Sequence, residues 1–310
     1  MKMKNTLYIL IALMLAACTH DEPLEYDPDL TIKFQPSMYM HVSHDNVEGF
    51  TEDMDFAVRA WSLPRGARWG ESSANASEYL PATVAHCKEQ SAGNNGISSK
   101  LWSLSDQQLW PAAGTTLTFI GYSPASAACE CNQTNGVTCT MDVAEEQTDL
   151  LYTQPCCDRE KTTDGGIVPL VFEHALCRID LRAVNRVAEG EKITIKKITI
   201  DEVLHKGTFT SLSAPQWKLD DSYKEIVLFD GTQELTSKPS AIGRYIFLPP
   251  QKLATALTVE FEYTTAMQTT IPQKQKTTLM RTLLKAGRTY TYTLSVGIDE
   301  VKFLQDIINK

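Results

Sequence analysis

The chain is predicted to be all-β, made of antiparallel sheets packed as β-sandwiches. Apolar residues recur at every second position, and clusters of turn-forming residues separate the runs. Neither continuous apolar runs nor intervening helices dominate, as they would in a parallel α/β sheet. The clearest run is Thr289 to Val296, where Tyr290, Tyr292, Leu294 and Val296 alternate with Thr289, Thr291, Thr293 and Ser295. Leu257, Val259, Phe261 and Tyr263 alternate with Thr258, Glu260, Glu262 and Thr264, and Ile193, Ile195, Ile198 and Ile200 flank threonines in the same way. One apolar and one polar face per strand is what a sheet with one buried side requires.

The turn signals are Pro64 to Gly66, Gly93 to Gly96, Asn135-Gly136, Gly165-Gly166, Asp230-Gly231 and Pro249-Pro250. Asn185 to Glu191 is polar, contains Gly190 and precedes a fresh set of strands. It sets an expected boundary between a first sandwich at 31–186 and a second at 187–310. Short helical turns are expected near Ser105 to Leu109. Val301 to Lys310 reads equally as strand or helix.

The amino end sets the expected compartment. Met1-Lys2-Met3-Lys4-Asn5 is a short positive segment, and Leu7 to Ala17 is an unbroken apolar run. This is the layout of a secretory signal, and the run falls short of the roughly 20 apolar residues that span a bilayer. It ends in Leu15-Ala16-Ala17-Cys18, which resembles the lipobox of bacterial lipoproteins. Residues 1–17 are then a signal peptide, Cys18 carries the lipid, and 18–30, with Pro23 and Pro28, is a tether. Aspartate does not follow Cys18 directly; Thr19 and His20 do, with Asp21 and Glu22 after them. That order favours the outer membrane, facing outward, over retention at the inner one.

Composition narrows the partners. Net charge is −9, so a nucleic-acid partner is not expected, since phosphates demand a basic face. Hydrophobic residues make up 43%, enough for a real core. With Cys18 acylated, Cys87, Cys129, Cys131, Cys139, Cys156, Cys157 and Cys177 remain. An exported chain forms disulfides readily, and an odd count leaves one thiol over or bonded between molecules. Free thiols and a metal site are the alternatives, although Cys-x-Cys and a vicinal pair do not match zinc-finger spacing.

Residues of chemical type read mainly as structural. His174 lies inside an expected strand, and no nucleophile or zinc-protease motif accompanies it, so no enzyme, cofactor or metal is expected. His41 and His44 lie in extended sequence, and Glu52, Asp53 and Asp55, like Asp220 and Asp221, read as solvated acidic turns without EF-hand spacing. Trp61 and Trp110 fall in strand patterns. Trp69, in Arg65-Gly66-Ala67-Arg68-Trp69-Gly70, is the aromatic best placed to stack on a sugar, with local packing as its plainer role. It supports a second functional reading, a surface lipoprotein that captures glycans.

Several segments together resemble the fimbrillin-like family of Gram-negative surface lipoproteins. They are Trp110-Pro111 with Leu117-Thr118-Phe119-Ile120-Gly121-Tyr122; Asp149-Leu150-Leu151-Tyr152; Val168-Pro169-Leu170-Val171-Phe172-Glu173-His174-Ala175-Leu176; Gly207-Thr208-Phe209; Tyr245 to Gln251; and Gly287 to Leu294. The cysteine cluster is not part of that pattern. The resemblance implies two transthyretin-like sandwiches in tandem and a role as fimbrial subunit, tip or anchor in cell adhesion. Its partners would be other fimbrial subunits, and host or microbial surface glycans or proteins. It further implies assembly by strand exchange, in which a trypsin-like protease removes an amino-terminal strand and the next subunit's strand takes its place. Thr31 to Phe34 is the expected plug strand, and Phe56, Val58 and Ala60 mark the next one. Phe34 to Val58 contains no Lys or Arg. Arg59 is the candidate processing point for a stalk subunit, but it lies inside an expected strand, which favours an anchor or accessory subunit that keeps its plug.

Replacing Cys18 by alanine is expected to move the protein from the membrane fraction to the soluble one. Retention in the membrane fraction would contradict the lipoprotein reading.

Overall fold

The computed structural model describes residues 30–39, 49–89, 100–212, 214–278 and 282–304. Among them β-strands dominate, and the α-helix is a single turn at Trp69–Ser72. Ser105 to Leu109, expected to be helical, forms bends and an isolated bridge instead. Val301–Leu304 is a strand.

Most strands of the amino-terminal half form one sheet that closes on itself. Its order is Phe56–Leu63, Ser77–Glu89, Lys100–Leu104, Lys33–Met38, Ile167–His174, Leu151–Thr153 and Thr116–Ser123, with Cys156–Arg159 attached outside. Phe56–Leu63 also pairs with Thr116–Ser123, so these seven strands form a barrel-like ring. The sequence predicted a sandwich here. Alternation shows that one face is buried, but not whether the opposite wall belongs to a second sheet or to the same one. Closure gives every strand of the ring a partner on both sides, although Lys33–Met38 meets Lys100–Leu104 at only two positions.

Inside the ring, Phe34, Phe56, Phe119 and Phe172 are fully buried. Phe34 meets Phe56 and Phe119 edge-on, each with ring centroids 5.6 Å apart.

Two strands of the ring are buried on both faces. Phe56, Val58, Ala60, Leu117 and Phe119 point into it. Ala57, Trp61, Leu63, Ile120 and Tyr122 point outward into a second core, which runs through the rest of the molecule. This explains why Leu117 to Tyr122 is nearly continuous in apolar residues where a half-exposed strand would alternate.

Two larger sheets supply that second core. In one, Cys177–Asn185 lies beside Thr289–Val296, flanked by Ser240–Ala241, Ile246–Leu248 and Val301–Leu304. The other has the order Tyr223–Glu234, Lys192–Leu204, Ala256–Thr264 and Thr270–Thr278. Ile193, Ile195, Leu257 and Phe261 from one share a cluster with Leu181, Tyr290 and Leu294 from the other.

A third, small sheet pairs Gly136–Asp142 with Lys206–Thr210, and so joins chain on either side of residue 186. Cys177–Asn185, placed before the expected boundary, finds its partner in Thr289–Val296. Two pairings, Lys33–Met38 with Ile167–His174 and Cys177–Asn185 with Thr289–Val296, are parallel. The antiparallel expectation missed them because a period of two is the same in either direction.

Among the described residues one disulfide is present, Cys129–Cys139, across the hairpin of Cys129–Asn132 and Gly136–Asp142. Asn132 Oδ1 accepts the Thr134 and Asn135 N–H groups at 3.0 and 2.8 Å to shape the turn. Gly136 completes it at φ 68°. A Cβ there would overlap the Ser211 hydroxyl, which holds the Val137 N–H at 2.9 Å, and would crowd Leu212 Cγ at 2.9 Å.

Gly165 also has positive φ, 66°, but open space around it. Gly165→Ala is therefore expected to cost only the left-handed backbone term, about 1 kcal/mol. Gly136→Ala should cost at least about 1 kcal/mol more, because the Ser211 bond is disturbed as well. Urea midpoints of the two variants measure the difference.

Candidate strand-insertion site

Lys33–Met38 is the strand on which the ring depends. Its alternation is the plain consequence of its sequence: Phe34, Pro36 and Met38 face the core, while Gln35 and Ser37 face out. It runs parallel to Ile167–His174 over six residue pairs, from Lys33–Ile167 to Met38–Phe172. On its other side it meets Lys100–Leu104 at only two, Lys33–Ser103 and Phe34–Trp102. Pro36 brings no N–H to either ladder.

Main-chain bonds pin its ends. Ile32 N–H reaches Gln108 O and Trp110 N–H reaches Leu30 O, both at 2.8 Å, and Tyr39 N–H reaches Phe172 O at 2.7 Å. The expected plug strand, Thr31 to Phe34, thus overlaps the observed one, which runs on to Met38. Ile32, Phe34 and Met38 are buried, each contributing about 1.5–3 kcal/mol by leaving water. Taking the strand out would open a slot between Lys100–Leu104 and Ile167–His174, floored by Phe56, Phe119 and Phe172.

Arg59 lies in Phe56–Leu63, which is paired on both sides. Its guanidinium donates to Cys131 O at 2.7 Å, pairs with Glu78 and lies 5.6 Å from the Trp61 ring centroid. A protease needs an extended, unpaired segment, so cutting here requires extracting a strand with two ladders and two cores. Arg65 and Arg68 are exposed, but they follow that strand.

Trp69 does not offer a stacking face. It is 6% exposed, its ring centroid is 5.8 Å from that of Trp61, and its main-chain N–H donates to Asp158 Oδ1 at 3.0 Å. The loop-like sequence hid this, because the burying partners, Trp61 and Asp158, are distant in the chain. Cys18, the signal segment, His41 and His44 lie outside the described residues.

The acidic turn is engaged within the fold. Glu52 pairs with Lys100, Asp53 accepts the Thr51 hydroxyl at 2.5 Å, and Asp55 Oδ1 accepts the Ala125 N–H at 3.0 Å. Burial pushes the Cys131 and Cys177 thiols up to about 12, which keeps them protonated and unreactive.

Sequence reading missed a Ser–His–Asp chain. His205 Nδ1 is 2.6 Å from Asp142 Oδ1, and Nε2 is 3.2 Å from Ser222 Oγ. His205 is enclosed, at 6% exposure. Asp142 also accepts the Ala144 N–H at 3.0 Å. Three separate segments are tied together at this point. Nothing local in the sequence marks it.

His174 forms a comparable pair, with Nδ1 2.5 Å from Asp149 Oδ2.

These features define a class: an all-β protein whose amino-terminal strand closes a barrel-like sheet on one core and whose remaining sheets enclose another. Residues 69–309 match the model of the fimbrillin-like family. The chain belongs to that family. No curated protein sequence matches it.

Among solved structures, a fimbrial protein from Bacteroides vulgatus is similar with a TM-score of 0.66 at 14% identity, over 88% of this chain and 98% of that one. A proposed cell adhesion protein from Bacteroides uniformis gives 0.54 at 16% identity, over 90% and 97%. At these identities the likeness is one of fold.

The His174 pair makes a pH prediction. Burial pulls the histidine down, but the hydrogen bond and charge of Asp149 outweigh it and hold it above 6.5. The stability gained is fully present below the unfolded value, about 6.5, and is lost as pH rises through the higher folded value. His174→Gln should therefore flatten the decline in urea midpoint above about pH 6.5. An unchanged profile would show that the pair does not hold the proton.

Proposed function

We propose that this protein is a fimbrial component, an outer-membrane surface lipoprotein acylated at Cys18. In this reading it serves as an anchor or accessory subunit with a structural role rather than an enzymatic one. The proposal includes two tandem units of transthyretin-like descent, the first in its plugged form, and assembly with other subunits through β-strand exchange.

The observation that supports it most is the inserted strand Lys33–Met38 with its buried Phe34. An extended segment held between two strands by main-chain bonds and alternate side chains is the form of contact that another chain's strand can reproduce. The surroundings of Arg59 favour an anchor over a processed stalk subunit, because its strand walls both cores. With Trp69 buried, nothing at that residue favours the glycan-capture reading.

Amino-terminal mass spectrometry of the protein taken from cells tests this. The expected species is an acylated Cys18 peptide continuous with residues 34–58. A mature chain beginning at Ala60 would sink the anchor reading.

A further inference from the structure

Lys33–Met38 breaks a rule of sheet construction at Pro36. Proline removes a ladder N–H, so within sheets it is confined to edges, strand starts and bulges. Pro36 instead lies inside the ring, buried, with a strand on either side. Local rules of this kind are broken mostly at functional positions.

The side that lacks the N–H follows from the neighbouring bonds. Tyr39 N–H reaches Phe172 O on one side, and Ile32 N–H reaches Gln108 O on the other. Main-chain groups alternate in direction along a strand, so odd residues address Ile167–His174 and even residues address Lys100–Leu104. Pro36 therefore lacks the N–H that Lys100 O would accept. The pairing stops accordingly: it holds at Lys33–Ser103 and Phe34–Trp102, and the same register would continue through Gln35–Leu101 and Pro36–Lys100. Leu101 and Lys100 are still strand there, paired with Lys88 and Glu89 on their other side. The neighbouring strand is in place, and the resident plug does not use it.

We infer that a strand from another chain displaces Lys33–Met38 without cleavage, and that Pro36 keeps the resident strand weak enough to be replaced. The inference rests on the proposed strand exchange and adds how the slot opens and what fills it. Cutting at a basic residue does not open it, since Phe34 to Val58 holds no Lys or Arg and Arg59 is paired on both sides. Competition does. The incoming strand runs parallel to Ile167–His174 and is apolar where Ile32, Phe34, Pro36 and Met38 stand. At the second of these it carries an aromatic ring, because Phe34 meets Phe56 and Phe119 edge-on. At the third it carries an apolar residue other than proline, so that its N–H reaches Lys100 O and the ladder runs on. That bond is the advantage of the newcomer over the plug.

The test is hydrogen exchange on the full chain carrying Cys18→Ala, followed at the amides of residues 30–39, because exchange reports small opened populations. Peptides of residues 30–39 are added in excess: the native sequence, the same with Pro36→Val, and the same with N-methylvaline at that position. The valine peptide is expected to expose the plug's amides at about one-fifth of the concentration that the other two need, the factor that one ladder bond supplies. Pro36→Val in the chain itself should slow exchange of the same amides about fivefold without peptide. The peptide series uses the native plug, so it decides the matter even if that variant does not fold. Equal potency of the valine and N-methylvaline peptides would overturn the inference and leave strand exchange standing. Unchanged or faster exchange in a folded Pro36→Val chain would do the same. No response to any peptide would overturn the strand-exchange reading, and this inference with it.

Discussion

The structure depends on two strands that are apolar on both faces. Phe56–Leu63 and Thr116–Ser123 lie side by side in the ring. Their inward residues complete the phenylalanine core, and their outward residues form one wall of the core that runs on to Val301. Two cores that share a wall are not independent. Distortion of Phe119 on one face displaces Ile120 on the other, because packed interiors transmit small shifts rather than absorb them. The small sheet of Gly136–Asp142 and Lys206–Thr210 adds a main-chain connection between the halves, and the His205 chain adds a polar one.

Against that shared wall the amino-terminal strand is the separable part. Its ladder is long on the side of Ile167–His174 and short on the side of Lys100–Leu104. Its hold is mainly Phe34 and its neighbours. This combination of a strongly buried side chain and a weakly paired edge is the physical basis of the strand exchange proposed above.

Charged residues occupy the periphery. Ion pairs such as Lys192–Glu234, Lys196–Glu262 and Lys274–Glu260 bridge the outer faces of neighbouring strands, and all are well exposed. Pairs of this kind contribute little stability but keep a polar sheet face in register. The pairs at His174 and His205 are more enclosed and hold loops to strands, which gives them a structural weight that their isolated positions in sequence conceal.

Local sequence by itself determined the all-β character, the strands around Ile193–Ile200, Leu257–Tyr263 and Thr289–Val296, the turn at Asn135-Gly136 and an alternating segment at Thr31 to Phe34 that overlaps the first described strand. Each follows from period-two alternation or from the backbone freedom of a turn residue, and both are read over a few neighbours. Only the tertiary structure decided that the first sheet closes on itself, that two pairings are parallel, that Trp69 is buried against Trp61, and that Asp142, His205 and Ser222 meet. All of these are contacts between segments far apart in the chain. A side chain's alternation records that it has a buried face, but not which distant segment covers it.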